Sequence, residues 1–310
     1  MTHKLDVLAL GEAMVEFNQA QRDDPRLYLQ GFGGDTSNTA IAAARLGARA
    51  GYATRVGDDV FGRWLCALWG DEGVDTRAVA VDAAAPTGIY FVSHGAQGHE
   101  FSYRRDGSAA SRMSPDDLPG AALRATHVLH LSAISQAISP SACAACAAAI
   151  GIARAAGAMI SYDTNLRLKL WSLERAREVV RATLREVDWA IPSLDDVRVI
   201  YGEGTPDALI DACLADGARN VVLKTGADGC VVASAGLRTT IPGHAVQSVD
   251  ATGAGDCFDG AFLTRLALGD CPQRAATYAN AAAALSTLGY GAVAPLPRPA
   301  DVDAMLRTHA

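Results

Sequence analysis

Short apolar runs alternate along this chain with longer stretches whose apolar positions recur at helical spacing. LDVLALG (5–11), ARAGYATRVG (48–57), THVLHLS (126–132), AMISYDT (158–164), DWAIPS (188–193) and NVVLKTG (220–226) read as strands. TSNTAIAAARLG (36–47), FGRWLCALWGDEG (61–73), SPSACAACAAAIGIARAAG (139–157), LERAREVVRATLREV (173–187), TPDALIDACLADG (205–217) and GAGDCFDGAFLTRLALG (253–269) read as helices. Several of the helical stretches end in Gly or Ala-Gly, a common stop signal. Strand then helix, repeated, calls for a mainly parallel sheet covered on both faces. The pattern therefore predicts a doubly wound α/β fold in a single domain over 1–310.

Two regions break that rhythm. MVEFNQA to LYLQGFGG, and TGIYFVSHGAQGHEFSYRR, read as hairpins able to pair into one small β-sheet, a lid formed by about 12–34 and 86–112. A lid excludes water from a reaction. IPGHAVQSVD (241–250) reads as a further strand and turn, and APLPRPA (294–300) precedes a short last helix.

Composition narrows the class. The 310 residues are 50% hydrophobic and 20% charged, ordinary for a chain that buries a large core. A net charge of -7 argues against a general nucleic-acid binder, which needs a basic face. No membrane span or leader pattern is read, so the expected compartment is the cytoplasm. The seven cysteines sit in apolar surroundings. Cys143 and Cys146 form one CxxC inside an alanine-rich helix with no second pair for zinc, and they read as packing residues, as does Cys257. His127 and His130, three apart in a strand, face opposite ways and do not share a metal. His94 and His99 flank a glycine turn.

The chemistry-bearing stretch is DATGAGDCFDG (250–260). Gly253 and Gly255 let backbone N–H groups approach an anion, and the start of a helix adds the positive end of its peptide dipoles. A carboxylate at that point, Asp256, would repel a phosphate unless it holds the group attacking the phosphorus. Asp256 could instead cap the helix, a common use of aspartate. The flanking glycines favour catalysis. In that reading the amides of Gly253, Ala254 and Gly255 form an anion hole and Asp256 takes a proton from an alcohol.

With those pieces placed, the chain resembles the ribokinase-like (PfkB-type) sugar kinases over nearly its whole length. GGDTSNTAIAAARLGA (33–48) resembles that family's first signature and DATGAGDCFDGAF (250–262) its second. The resemblance implies transfer of phosphate from ATP to a sugar hydroxyl. GIY (88–90), SYRRDGSAAS (102–111) and DTNLRLKLW (163–171) are similar to the 2-keto-3-deoxygluconate kinases within the family. That similarity implies sugar contacts at Gly34, Tyr90, Tyr103, Arg105, Arg167 and Asp256. The two arginines suit a carboxylate, which matches their planar fork, better than a neutral hexose. Each also has a bland reading: Arg105 in an exposed charged run, Arg167 paired with Asp163, the tyrosines packed in the lid. Strand alternation turns Arg104 away from Tyr103 and Arg105. Glu16 is either a sugar contact or an exposed lid carboxylate.

For the nucleotide, the resemblance implies Asn165, Arg167, Ser193, Lys224, Gly226, Asp228, Gly229, Gly253, Gly255 and Asn280. No GxxxxGKS loop is present to hold it another way. The family's Asn-x-x-Glu element for magnesium is replaced by SLDD (193–196), which leaves Asp196, acting through water, as the metal candidate. A monovalent cation is left open. The resemblance also implies a homodimer or larger homo-oligomer. Three rival readings remain: a kinase for a neutral sugar such as fructose or ribose, a non-catalytic sugar-binding module, and a Rossmann oxidoreductase. The last is weakened because LDVLALG runs into EAMVEF with no GxGxxG turn.

Overall fold

The structure, a computed structural model, describes residues 5–21, 24–95, 98–234 and 236–308. Along the chain, β1 (Leu5–Leu10) leads into the hairpin β2 (Met14–Gln21) and β3 (Asp24–Gly33), then α1 (Asp35–Arg45), β4 (Ala50–Gly57), α2 (Val60–Asp71) and β5 (Val79–Asp82). A second hairpin, β6 (Ile89–Gly95) and β7 (Gly98–Arg104), precedes α3 (Gly120–Arg124), β8 (Thr126–Ser132), α4 (Ala133–Ala137), α5 (Pro140–Ala155) and β9 (Met159–Asp163). There follow α6 (Leu173–Leu184), β10 (Trp189–Ala190), α7 (Leu194–Tyr201), α8 (Pro206–Ala215) and β11 (Asn220–Lys224). The chain closes with β12 (Gly229–Ser234), β13 (Leu237–Pro242), α9 (Ala254–Ala267), α10 (Pro272–Ser286) and α11 (Pro299–Thr308).

Nine strands form the main sheet in the order β13-β12-β11-β10-β9-β8-β1-β4-β5, parallel from β11 to β5. Alternation along β1 explains the two layers of core. Val7 and Ala9 pack with Ile41 of α1 and with Phe258 and Phe262 of α9 on one face. Leu8 and Leu10 pack with Ala149 of α5 and Val180 of α6 on the other. The doubly wound reading is therefore what the chain adopts.

The order reverses direction between β1 and β8, and in such sheets the crevice beyond the strand ends at that point is where ligands bind. The two hairpins join in a separate four-stranded sheet, β3-β2-β6-β7, through parallel pairing of β2 with β6. On that sheet Glu16, Tyr90 and Tyr103 are cross-strand neighbours on one face, with Leu27, Leu29 and Phe101. The side chains of His94 and His99 lie outside the described residues.

Two expectations need correction, and one feature of the sheet was not anticipated. IPGHAVQSVD is strand only to Pro242; beyond it the backbone is irregular, and Asn280 holds the strand's end by donating to the carbonyls of Ile241 and Pro242 at 3.1 Å each. DWAIPS yields only the two-residue β10, because Pro192 follows within two positions and lacks a ladder donor. The antiparallel edge formed by β12 and β13 escapes a reading that expects strand–helix alternation.

Candidate active site

The loop before α9 brings Asp256 to the crevice. Gly253 caps α9 in the left-handed conformation with φ of 76°, and a Cβ there would sit 2.9 Å from Ala292. Asp256 does not cap the helix. It lies in the first turn, buried, and its Oδ2 accepts a hydrogen bond from Asn38 Nδ2 of α1 at 2.8 Å. The capping alternative is thus set aside. Burial, and then the neighbouring Asp35, raise the Asp256 pKa to about 8, while the Asn38 hydrogen bond opposes the rise. The Ala254 amide already donates to Ala251 O at 3.2 Å. Among the described residues the amides of Gly253 and Gly255 have no such partner, so of the three amides expected to meet an anion those two are available.

Asn38 and Asp35 are functional candidates that the sequence reading passed over. Ser132, at the end of β8, donates to Asp35 Oδ2 across the switch point. Asp35 Oδ1 and Asn38 Oδ1 are buried acceptors without a hydrogen-bond partner. Two ligand hydroxyls, one donating to each, would satisfy them. The available signal was the repeated grammar of GGD and GAGD, each a glycine pair or near-pair followed by an acid as a helix opens.

Lys224, at the end of β11, lies beneath the loop: a Cβ on Gly255 would sit 3.5 Å from Lys224 Nζ. The ammonium bridges Asp163 Oδ2 and Asp259 Oδ1, both at 3.0 Å. Burial disfavours the charged lysine, but the two carboxyls outweigh it and raise its pKa. Burial likewise works against Asp163, yet Lys224 holds that carboxyl below its usual range, whereas burial dominates at Asp259 and pushes it up. His130 accompanies them as a neutral ring, its pKa lowered to about 4 by burial. Asp163 thus pairs with Lys224 rather than with Arg167.

Arg167 is exposed, with Nη1 donating to Leu166 O at 2.8 Å. It is near enough to Asp196 to favour that residue's ionised form. Asp196 itself is half-buried; burial, then Asp163, raise its pKa, and it accepts from Thr164 Oγ1 at 3.2 Å. Ser193 caps α7, taking a hydrogen bond from the Asp196 amide, and its backbone bridges to Lys224. Asn165 is buried, its backbone N–H donating to Asp163 Oδ1 at 3.2 Å. Gly226, Asp228 and Gly229 form the tight turn between β11 and β12. Asn280 does not fit its expected nucleotide role as simply, because its amide donors anchor β13. Among the described residues no three acidic, histidine or cysteine side chains converge to cage a metal. An ion carried in on phosphates and held through water by Asp196 fits this donor set; a protein-caged ion does not.

On the lid side, Tyr90 is buried over Gly33, its hydroxyl donating to Glu16 Oε2 at 2.5 Å and its ring stacked on Tyr103 at 5.7 Å. Tyr90 is close enough to Asp256 to feel its charge. Glu16 is therefore part-buried and paired rather than an exposed lid carboxylate. Gly34 has a φ of 135°, and a Cβ there would meet Glu12 O at 2.7 Å. The close approach it permits is to the chain's own backbone. Arg105 Nε donates to Glu12 Oε2 at 2.8 Å, and the pair is buried. Glu12 was missed, since nothing local links it to a residue 93 positions away. A cavity of about 440 Å³ is bordered by Tyr103 and Arg105 with Phe61 and Thr87, but by none of residues 253–256. Arg104 faces the other way, with Nη1 on Tyr103 O at 3.0 Å.

A helix opened by glycines, a buried acid in its first turn and a switch-point crevice under a β lid are the parts of an α/β phosphotransferase. Residues 4–299 match the family described as pfkB family carbohydrate kinase. The chain is 34% identical to 2-dehydro-3-deoxygluconokinase of Thermoproteus tenax, covering 98% of this chain and 94% of the relative. It is 33% identical to fructokinase-1 of Zea mays over 96% of each. Aminoimidazole riboside kinase of Salmonella enterica, solved with aminoimidazole riboside and an ATP analogue, has a TM-score of 0.86 at 27% identity, over 97% of this chain and 99% of its own. The chain belongs to the pfkB family of carbohydrate kinases.

Proposed function

We propose that this protein uses MgATP to phosphorylate the terminal hydroxyl of a 2-keto-3-deoxy sugar acid, converting 2-keto-3-deoxygluconate to its 6-phosphate. The observation that carries the reaction type is Asp256, buried in the first turn of α9, bonded to Asn38, and beside the free amides of Gly253 and Gly255. Phosphoryl transfer needs positioning and charge stabilisation more than covalent help. Asp256 orients the acceptor hydroxyl and takes its proton as the oxygen attacks the phosphorus. The Gly253 and Gly255 amides and the helix end receive the charge on the transferring group. Asp35 and Asn38 offer acceptors to the sugar's hydroxyls. Asp196 would hold a magnesium ion through water, and the ion would supply charge neutralisation on the phosphates. Lys224, Ser193 and the turn at 226–229 form the nucleotide's edge, with Asn165 where the two substrates meet.

The acid-sugar assignment is supported by the motifs around Tyr90, Tyr103, Arg105 and Arg167 and by the similarity to the Thermoproteus tenax enzyme. A neutral-sugar reading draws on a specific observation too: Glu12 already neutralises Arg105, and fructokinase-1 of Zea mays is about as similar. A substrate panel followed by coupled ADP release separates them. Carboxylate-bearing 2-keto sugars should exceed fructose and ribose in kcat/KM by more than about tenfold, since a buried charge-assisted hydrogen bond contributes about 1.5–3 kcal/mol. Equal kcat/KM on fructose overturns the acid-sugar assignment. No ADP release with any sugar overturns the kinase reading.

A further inference from the structure

The lid is not appended at one place. It leaves and rejoins the α/β body at four crossings: between β1 and β2, between β3 and α1, before β6, and after β7. Glu12 touches all four. It lies on the first crossing itself. Its backbone carbonyl is 2.7 Å from where a Cβ of Gly34 would stand, on the second. Its Oε1 is 2.9 Å from the Cβ position of Gly88, on the third. On the fourth it accepts from Arg105 Nε and from the Ser108 hydroxyl, and it pairs with Arg105 Nη2. The Glu12 side chain is fully buried.

That placement constrains Arg105. A guanidinium has a limited number of donor edges, and Glu12 occupies the Nε–Nη2 edge. The Nη1 side is left without a hydrogen bond among the described residues, and Nη2, although ion-paired, lacks one of good geometry. The Arg105 guanidinium lies over the Tyr103 ring at 5.9 Å, and Tyr103 stacks on Tyr90 above Gly33, so the group borders the lid face that carries Glu16 and Tyr90. A buried ion pair with no role would be replaced at little cost by a pair of apolar side chains of equal volume. This one is built around by two glycines and a serine.

We propose that Glu12 is a positioning residue for the sugar: it pins the four lid crossings together and aims the free edge of Arg105 into the substrate site. It acts through Arg105 and touches no reacting atom. The proposal rests on Arg105 being a sugar contact, but not on which sugar enters.

The test measures KM and kcat, on whichever sugar the protein turns over best, for Glu12→Gln, Arg105→Met, their double mutant and Ser108→Ala. Glu12→Gln keeps shape and removes the charge. It should raise KM by about tenfold or more, the loss of one charge-assisted hydrogen bond, with kcat within roughly threefold of wild type because Asp256 is untouched. Arg105→Met should do at least as much. In the double mutant Glu12→Gln should add less than about twofold, since the two substitutions remove one interaction. Ser108→Ala, a milder change should Glu12→Gln fold poorly, should move KM in the same direction by roughly two- to threefold. A KM within twofold of wild type for both Glu12→Gln and Ser108→Ala overturns the proposal. So does a double mutant carrying the full product of the single effects, or a fall in kcat and melting temperature with KM unchanged, which marks Glu12 as merely structural. Fructose outperforming the sugar acid while these KM shifts persist supports Glu12's role and removes the acid-sugar assignment instead.

Discussion

Replacing Asp256 with Asn should weaken catalysis and strengthen the fold, with a pH signature that identifies the cause. In the folded protein the Asp256 pKa is raised from its ordinary 3.8 to about 8, chiefly by burial. A rise of that size corresponds to on the order of 5 kcal/mol against the ionised form, an upper figure because water entry and relaxation weaken it. Below the unfolded pKa both states hold the proton and no penalty applies. As pH rises from about 4 to about 8 the unfolded chain releases its proton while the folded one retains it, so stability falls; above about 8 the loss is complete. The substituted asparagine cannot ionise, and its side-chain carbonyl can still accept from Asn38. At pH 9 Asp256→Asn should therefore be more stable than wild type by at least about 1.5 kcal/mol, a rise of roughly 3 °C in melting temperature. At pH 5 most of that gain should be gone. Turnover, followed by coupled ADP release, should drop by at least about a hundredfold with the sugar KM changed only a few-fold. A stability gain that is the same at both pH values refutes the burial argument, and turnover within a few-fold of wild type removes Asp256 from the mechanism.

Lys224→Met should destabilise the protein by about 3–5 kcal/mol in denaturant unfolding, because two buried carboxyls lose their shared cation. Adding Asp163→Asn, which removes the carboxyl that Lys224 holds ionised, should recover much of that loss; no recovery refutes the bridge as its origin. Gly34→Ala should cost at least about 2 kcal/mol, since φ of 135° and a contact at 2.7 Å to Glu12 O leave no room to relax. Unfolding within about 0.5 kcal/mol of wild type, the scatter of ordinary surface changes, contradicts it. We further propose that the chain forms a homodimer through the lid face carrying Leu27, Leu29 and Phe101, which are exposed there. Leu29→Asp should convert a dimer to a monomer in light scattering, and a monomeric wild type at micromolar concentration rules the interface out.

What the sequence determined was what is written locally. The parallel α/β body follows from apolar periodicity, because buried strands and amphipathic helices differ in period. The loop before α9 follows from glycines and an acid within a few residues, since the helix that presents the amides begins in the same stretch. Tertiary structure decided the rest. Lys224 sits between residues 61 and 35 positions away, and Arg105 meets Glu12 across 93 positions. Asn38 reaches Asp256 across 218. No spacing rule encodes such pairs: strand order sets them, and burial then sets their charge, because the free energy of an ionised side chain depends on what surrounds it in space rather than on its neighbours along the chain.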